Sequence, residues 1–140
     1  MNTPFLQMDE YQLYIKRLSS PAVKNNLPTM IFLHDSWGCV DMWGDFPKMV
    51  SKMAGLDVLM YDRRGYGKSS GFAVTERTDQ YLHDEAHELI RVMDAYNIEN
   101  VLIYGHSDGA TIALIAAALY PSRIKGLLLE GPHSFIEDSG

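Results

Sequence analysis

Apolar residues along this chain come in two rhythms. Short continuous runs alternate with longer stretches that repeat every three or four positions. Residues 11–18 (YQLYIKRL) alternate loosely and predict a strand near a sheet edge. Residues 19–28 are polar and bounded by Pro21 and Pro28, so a loop is expected there. The run TMIFL (29–33) has the continuous apolar character of a strand buried on both faces. Trp43, Phe46, Met49, Val50 and Met53 recur at helical spacing within residues 42–53, predicting a helix with one apolar face and Pro47 in its first turn. DVLMY (57–61) is a second buried strand. Residues 78–96 carry Leu82, Ala86, Leu89, Ile90 and Met93 on one face, which is an amphipathic helix. VLIY (101–104) is a third buried strand. Residues 107–120 form a nearly all-apolar helix, expected to be central and covered. GLLLE (126–130) is a fourth buried strand.

Strands alternating with helices imply an α/β fold. The sheet should be doubly wound and mostly parallel, in three α/β/α layers. Ligands in such sheets bind outside the carboxyl ends of the strands. The loops that open at His34, Asp62, Gly105 and Glu130 therefore face the expected site, and the chemistry-bearing residues crowd those places.

Composition narrows the function classes. A chain of 140 residues is one domain's worth of core. Its net charge of -6 argues against a nucleic-acid partner, which needs clustered Lys and Arg. The opening MNTPFLQMDE has neither the basic end nor the apolar run of a signal peptide. The longest mainly apolar stretch, 110–120, is too short to span a bilayer, so no membrane partner is expected. Cys39 stands alone, which excludes an internal disulfide and fits a reducing, cytoplasmic compartment. Within YDRRGYGKSS, the GKS triplet imitates a phosphate-binding loop. That motif requires glycine at position 62, where Asp62 stands, and no helix pattern opens after Ser69. A glycine-assisted turn is the better reading. No cofactor or metal is expected; His83 and His87, four apart on a helix, read as surface residues.

The stretch YGHSDGAT sets Ser107 between Gly105 and Gly109, after an apolar strand and at the start of a helix. A serine hydroxyl becomes a useful nucleophile only when presented to substrate and base together. A sharp strand-to-helix turn does this, and small residues two before and two after relieve the crowding. Ser107 as a simple helix cap would need neither glycine. The N–H of Asp108 then lies at the helix N-terminus, where it can help bind a developing oxyanion.

Three stretches, HDSWG (34–38), YDRRGYGKSS (61–70) and GHSDG (105–109), give the chain a resemblance to the α/β-hydrolase family from about residue 11 onward. The resemblance implies a serine hydrolase working by acyl transfer on a small-molecule ester or related carbonyl substrate. Ser107 would be the nucleophile, with an oxyanion hole from the N–H groups of Ser36 and Asp108. His34 would be structural, its ring holding the loop. The family usually has glycine where this chain has Asp35, which adds a carboxylate near an anion site. The family's base lies after a later strand, so residues 1–140 are expected to be the N-terminal part of one domain, stopping where a cap begins. In that reading the chain alone lacks turnover. His133 is the nearest in-chain substitute for the base, since the His106 side chain is expected to point away from Ser107. Glu130 is a candidate acid, the other place for it lying beyond residue 140. The edge strand is expected to self-associate or to pair with a complementing C-terminal segment. A non-catalytic small-molecule binder and an interaction module on the same scaffold are the competing classes. Trp37, Trp43, Tyr66, Phe72 and Phe135 are candidates for lining an apolar pocket.

Overall fold

The computed structural model describes residues 3–20, 27–72 and 78–132. Strands β1 (Phe5–Gln7), β2 (Gln12–Leu18), β3 (Thr29–Leu33), β4 (Val58–Tyr61), β5 (Val101–His106) and β6 (Ile124–Glu130) form one sheet in the order β1-β2-β4-β3-β5-β6. A short 3₁₀ helix (Val40–Trp43) and α1 (Phe46–Ala54) connect β3 to β4, α2 (Tyr81–Ala95) precedes β5, and α3 (Asp108–Leu119) leads to β6. The four strands β4, β3, β5 and β6 run parallel, while β1 and β2 are antiparallel additions at one edge. β2 is one strand inside that edge. The edge itself is β1, whose three residues are too few to show a periodicity in the sequence.

The strict alternation of a strand divides each apolar run between two cores. Ile31 and Leu33 of β3 join Leu59, Tyr61 and Ile103 against Leu89, Met93, Ile112 and Ala116 of α2 and α3. Met30 and Phe32 face the other way, with Val58, Met60 and Val40, under Trp43 and Val50. TMIFL and VLMY are therefore buried on both faces, as their continuous hydrophobicity predicts.

Three expectations are corrected. The helical periodicity of residues 42–53 is interrupted at Gly44, which adopts φ 59°, and α1 begins only at Phe46, with Pro47 in its first turn where a missing N–H costs nothing. Its Pro47 and Ser51 side packs inward, so Met49 and Met53, the latter 83% exposed, project outward, while the Phe46 ring packs against Phe32 and Tyr104. α3 buries Ala110, Ile112, Ala113 and Ala116 but leaves Leu114 and Leu119 exposed. β6 is not buried on both faces: Leu128 is 55% exposed. Its register partner Tyr104 lies on the α1 side of the sheet, and no described element covers that side at β6. A run such as GLLLE reports that its residues are apolar, not that a neighbour arrives to cover them. Among the described residues no helix is long and apolar enough to cross a membrane.

Candidate active site

The register places Leu33 beside Gly105, and His106 beside Glu130, so the loops after β3, β5 and β6 open at one edge of the sheet. The loop after β4, starting at Asp62, opens at the same edge. Ser107 stands between β5 and α3 with φ 54° and ψ -115°. It shares a positive φ with only one other described non-glycine residue, Asn97. Such a conformation costs on the order of 1–3 kcal/mol and persists only where the surroundings enforce it. Here the Ser107 N–H donates to the Glu130 carbonyl at 2.8 Å, and the Ser107 carbonyl accepts the N–H groups of Ala110 (3.0 Å) and Thr111 (3.1 Å). The hydroxyl-bearing residue is thus held at the helix start and half-buried.

The two flanking glycines are required by contact. A Cβ on Gly105 would lie 2.7 Å from the Gly109 carbonyl oxygen and 2.8 Å from Ala110 Cα. A Cβ on Gly109 would lie 2.1 Å from the Leu33 carbonyl oxygen and 2.9 Å from that of His34. The bare backbone of Gly109 lets the N-terminus of α3 close onto the end of β3. That approach brings the Ser107 turn and the 34–38 loop together.

His34 is buried and holds this loop through both ring nitrogens. The Arg63 N–H donates to His34 Nε2 at 3.0 Å, so the proton resides on Nδ1, which donates to the Asp35 carbonyl at 2.6 Å. Burial, reinforced by the Arg63 guanidinium, lowers its pKa from 6.5 to about 4. The ring is neutral and committed, so His34 is structural and unavailable as a base. Arg63, fully buried, donates from Nη2 to the carbonyls of His34 (3.1 Å) and Asp35 (3.0 Å) and from Nη1 to the Tyr81 hydroxyl (3.1 Å). Arg63 did not stand out in the sequence, because nothing local marks it apart from Arg64 beside it.

Asp35 is fixed twice. Its carbonyl also accepts the Gly38 N–H at 3.2 Å. One carboxylate oxygen accepts the Trp37 N–H (3.3 Å) and the other lies 3.4 Å from His106 Nδ1. The carboxylate introduced at this position therefore ties the β3 loop to the residue preceding Ser107. Asp62 anchors the following turn, accepting the N–H groups of Val40 (2.6 Å) and Lys68 (2.8 Å), with Gly65 and Gly67 at positive φ. The YDRRGYGKSS segment is a turn closed on its own aspartate.

Asp108 is buried in the first turn of α3. The Glu130 side chain is exposed and hydrogen-bonds Tyr104, whose pKa rises through burial and then through that carboxylate. His83 and His87 are exposed on α2, and His87 Nδ1 lies 2.6 Å from the Tyr120 hydroxyl. His133 and Phe135 lie outside the described residues. The aromatic candidates do not converge: Trp43 packs on Phe32 and Tyr104, Tyr66 on His34 and Phe72, while Trp37 is 92% exposed. Among the described residues no group of three or more His, Cys, Asp or Glu could hold a metal ion.

Comparison with known proteins bears on this arrangement. Epoxide hydrolase B of Mycobacterium tuberculosis (strain ATCC 25618 / H37Rv) is 29% identical over 103 residues, covering 72% of this chain and 28% of that protein. Proline iminopeptidase of Neisseria gonorrhoeae is 30% identical over 131 residues, covering 91% of this chain and 39% of that protein. The chain thus spans well under half the length of these relatives. A solved structure of a probable hydrolytic enzyme from Pseudomonas aeruginosa PAO1 superimposes with a TM-score of 0.79 at 21% identity, over 91% of this chain and 40% of that one, a likeness of fold. Residues 28–139 match the model of one family, described as alpha/beta hydrolase fold. With that match running through the β3 loop, the Asp62 turn and the Ser107 turn, the chain belongs to the alpha/beta hydrolase fold family.

Proposed function

We propose that this chain carries the nucleophile and the oxyanion-binding part of a serine hydrolase acting on an ester or related carbonyl substrate. Ser107 Oγ attacks the carbonyl carbon and its proton passes to a base. The carbonyl oxygen becomes an oxyanion, bound by the N–H groups of Ser36 and Asp108. Collapse expels the leaving group with that proton, and water then releases the acyl group from Ser107 by the same steps. The observation that carries this reading is the φ 54°, ψ -115° conformation of Ser107 at a strand-to-helix turn closed by two glycines. A cap alone would give no reason for a strained serine there. The His34 ring is locked on both nitrogens, and His106 Nδ1 faces Asp35, so the base is assigned to a residue outside the described ones. The relatives are named for epoxide and peptide chemistry, so their names leave the acyl group of this protein's substrate open.

The test is turnover of a short-chain activated ester by the full product of the gene, with Ser107→Ala as control. Loss of at least about a thousandfold in kcat is expected from deleting a nucleophile. Residues 1–140 alone are expected to show no Ser107-dependent turnover. Undiminished hydrolysis by Ser107→Ala would refute the assignment. Substrate binding without hydrolysis or Ser107 labelling by an organophosphorus probe would favour a non-catalytic binder.

A further inference from the structure

We propose that Arg63 is a positioning residue of this site, holding the Asp35 carbonyl so that the Ser36 N–H is aimed at the developing oxyanion. This rests on the acyl-transfer reading above and names the device that orients one of its two donors.

Among the described residues, a positive charge is buried beside the loop without a carboxylate to pair it. Arg63 is 0% exposed, yet among the described residues no carboxylate lies within ion-pair distance of its guanidinium. A buried cation is costly unless its N–H groups find acceptors. Those acceptors are two successive carbonyls of one short loop, His34 and Asp35, together with the Tyr81 hydroxyl and the face of the Tyr66 ring 4.9 Å away. A turn that needed only to be folded would leave such carbonyls to water. Here a full positive charge is sequestered to hold them.

The consequence follows from peptide geometry. Three donors converge on the Asp35 oxygen: His34 Nδ1–H at 2.6 Å, Arg63 Nη2 at 3.0 Å and the Gly38 N–H at 3.2 Å. Together they fix the plane of the 35–36 peptide. That peptide is trans, as is every described peptide bond, so its N–H points opposite to its carbonyl, away from Arg63 and His34. The two N–H groups that follow it are taken: Trp37 by the Asp35 carboxylate and Gly38 by the Asp35 carbonyl. The Ser36 N–H has no hydrogen-bond partner among the described residues. A donor locked in direction and left without a protein acceptor is what electrostatic preorganisation requires. The guanidinium adds a second effect. By polarising the Asp35 carbonyl it makes the N–H across the same amide a stronger donor. Lysine could supply the charge but not a planar fork that reaches two carbonyls and a hydroxyl at once.

The experiment compares Arg63→Lys, Arg63→Met and Ser36→Pro, which deletes the N–H, with Ser107→Ala in the full product of the gene. Kinetics are measured on a short-chain activated ester, and folding is checked by circular dichroism and urea midpoint. Arg63→Met is expected to lower kcat about tenfold to a hundredfold, part of what losing one oxyanion donor costs, with KM changed less than about threefold. Arg63→Lys is expected to recover part of the lost kcat and, if Arg63→Met fails to fold, it carries the same comparison. Combining an Arg63 variant with Ser36→Pro should give no further loss beyond Ser36→Pro alone, since both act through one N–H. Losses that multiply, or a rise in KM with kcat unchanged, would overturn the proposal. Failure of the parent reading shows itself separately, as turnover that survives Ser107→Ala.

Discussion

Adding a single methyl group at Gly109 tests how Ser107 is presented. The new Cβ would sit 2.1 Å from the Leu33 carbonyl oxygen, 2.6 Å from its carbonyl carbon and 2.9 Å from the His34 carbonyl oxygen. Ordinary contact begins near 3.4 Å, so the shortest approach falls about 1.3 Å short, against backbone in a packed interior that yields little. Helix propensity acts the other way, favouring alanine over glycine by about 1 kcal/mol inside a helix. Overpacking typically costs about 1–3 kcal/mol, and a clash with β3 backbone belongs at the upper end, so the steric term wins. A net loss of about 2 kcal/mol in a 140-residue chain should lower Tm by roughly 7 °C. Moving the helix start by about 1 Å relative to the β3 loop should also lower ester turnover on the order of a hundredfold. Gly71→Ala is the control, because a Cβ there meets nothing within 4 Å, and it should stay within about 0.5 kcal/mol of the parent. The assays are urea and thermal unfolding, with kcat on the full product of the gene. A Gly109→Ala variant as stable and as active as Gly71→Ala would refute the contact argument.

Other expectations concern single groups. Ser107→Gly should be more stable to urea than Ser107→Ala, by about 1 kcal/mol in unfolding free energy, because glycine adopts φ 54° without a Cβ penalty; equal stabilities would mean the turn stores no strain. His34 has a folded pKa of about 4 against 6.5 unfolded, so between those values the unfolded chain binds the proton and the folded chain does not. Stability should therefore fall as pH drops from about 6.5 to about 4, by up to roughly 3 kcal/mol, and urea midpoints of His34→Gln should lack that slope. Leu128→Lys tests the open side of β6. Residues 1–140 are expected to self-associate in sedimentation velocity, and lysine at this 55%-exposed position should shift them toward monomer. A monomeric parent chain would remove that expectation.

What could be read from the chain alone was whatever a short stretch of sequence must satisfy by itself. Continuous apolar runs and helical spacing are properties of neighbouring residues, so β3, β4, β5 and α2 were legible with small boundary shifts. The Ser107 turn was legible in part for the same reason: a Cβ on Gly105 would crowd Gly109 and Ala110, a few residues away, whereas the need for glycine at 109 comes from the Leu33 and His34 carbonyls, distant in sequence. The structural role of the His34 ring entered through family resemblance, and its contacts agree with it. Tertiary structure decided the rest, because each remaining feature depends on a partner distant in sequence. Arg63 matters through the carbonyls of residues 34 and 35, brought beside it by the pairing of β3 with β4. Asp35 meets His106 only because β3 lies next to β5. The outward turn of α1 and the uncovered Leu128 show the same limit from the other side. Hydrophobicity is written residue by residue, whereas burial depends on which element comes to rest against it, and only the assembled sheet decides that.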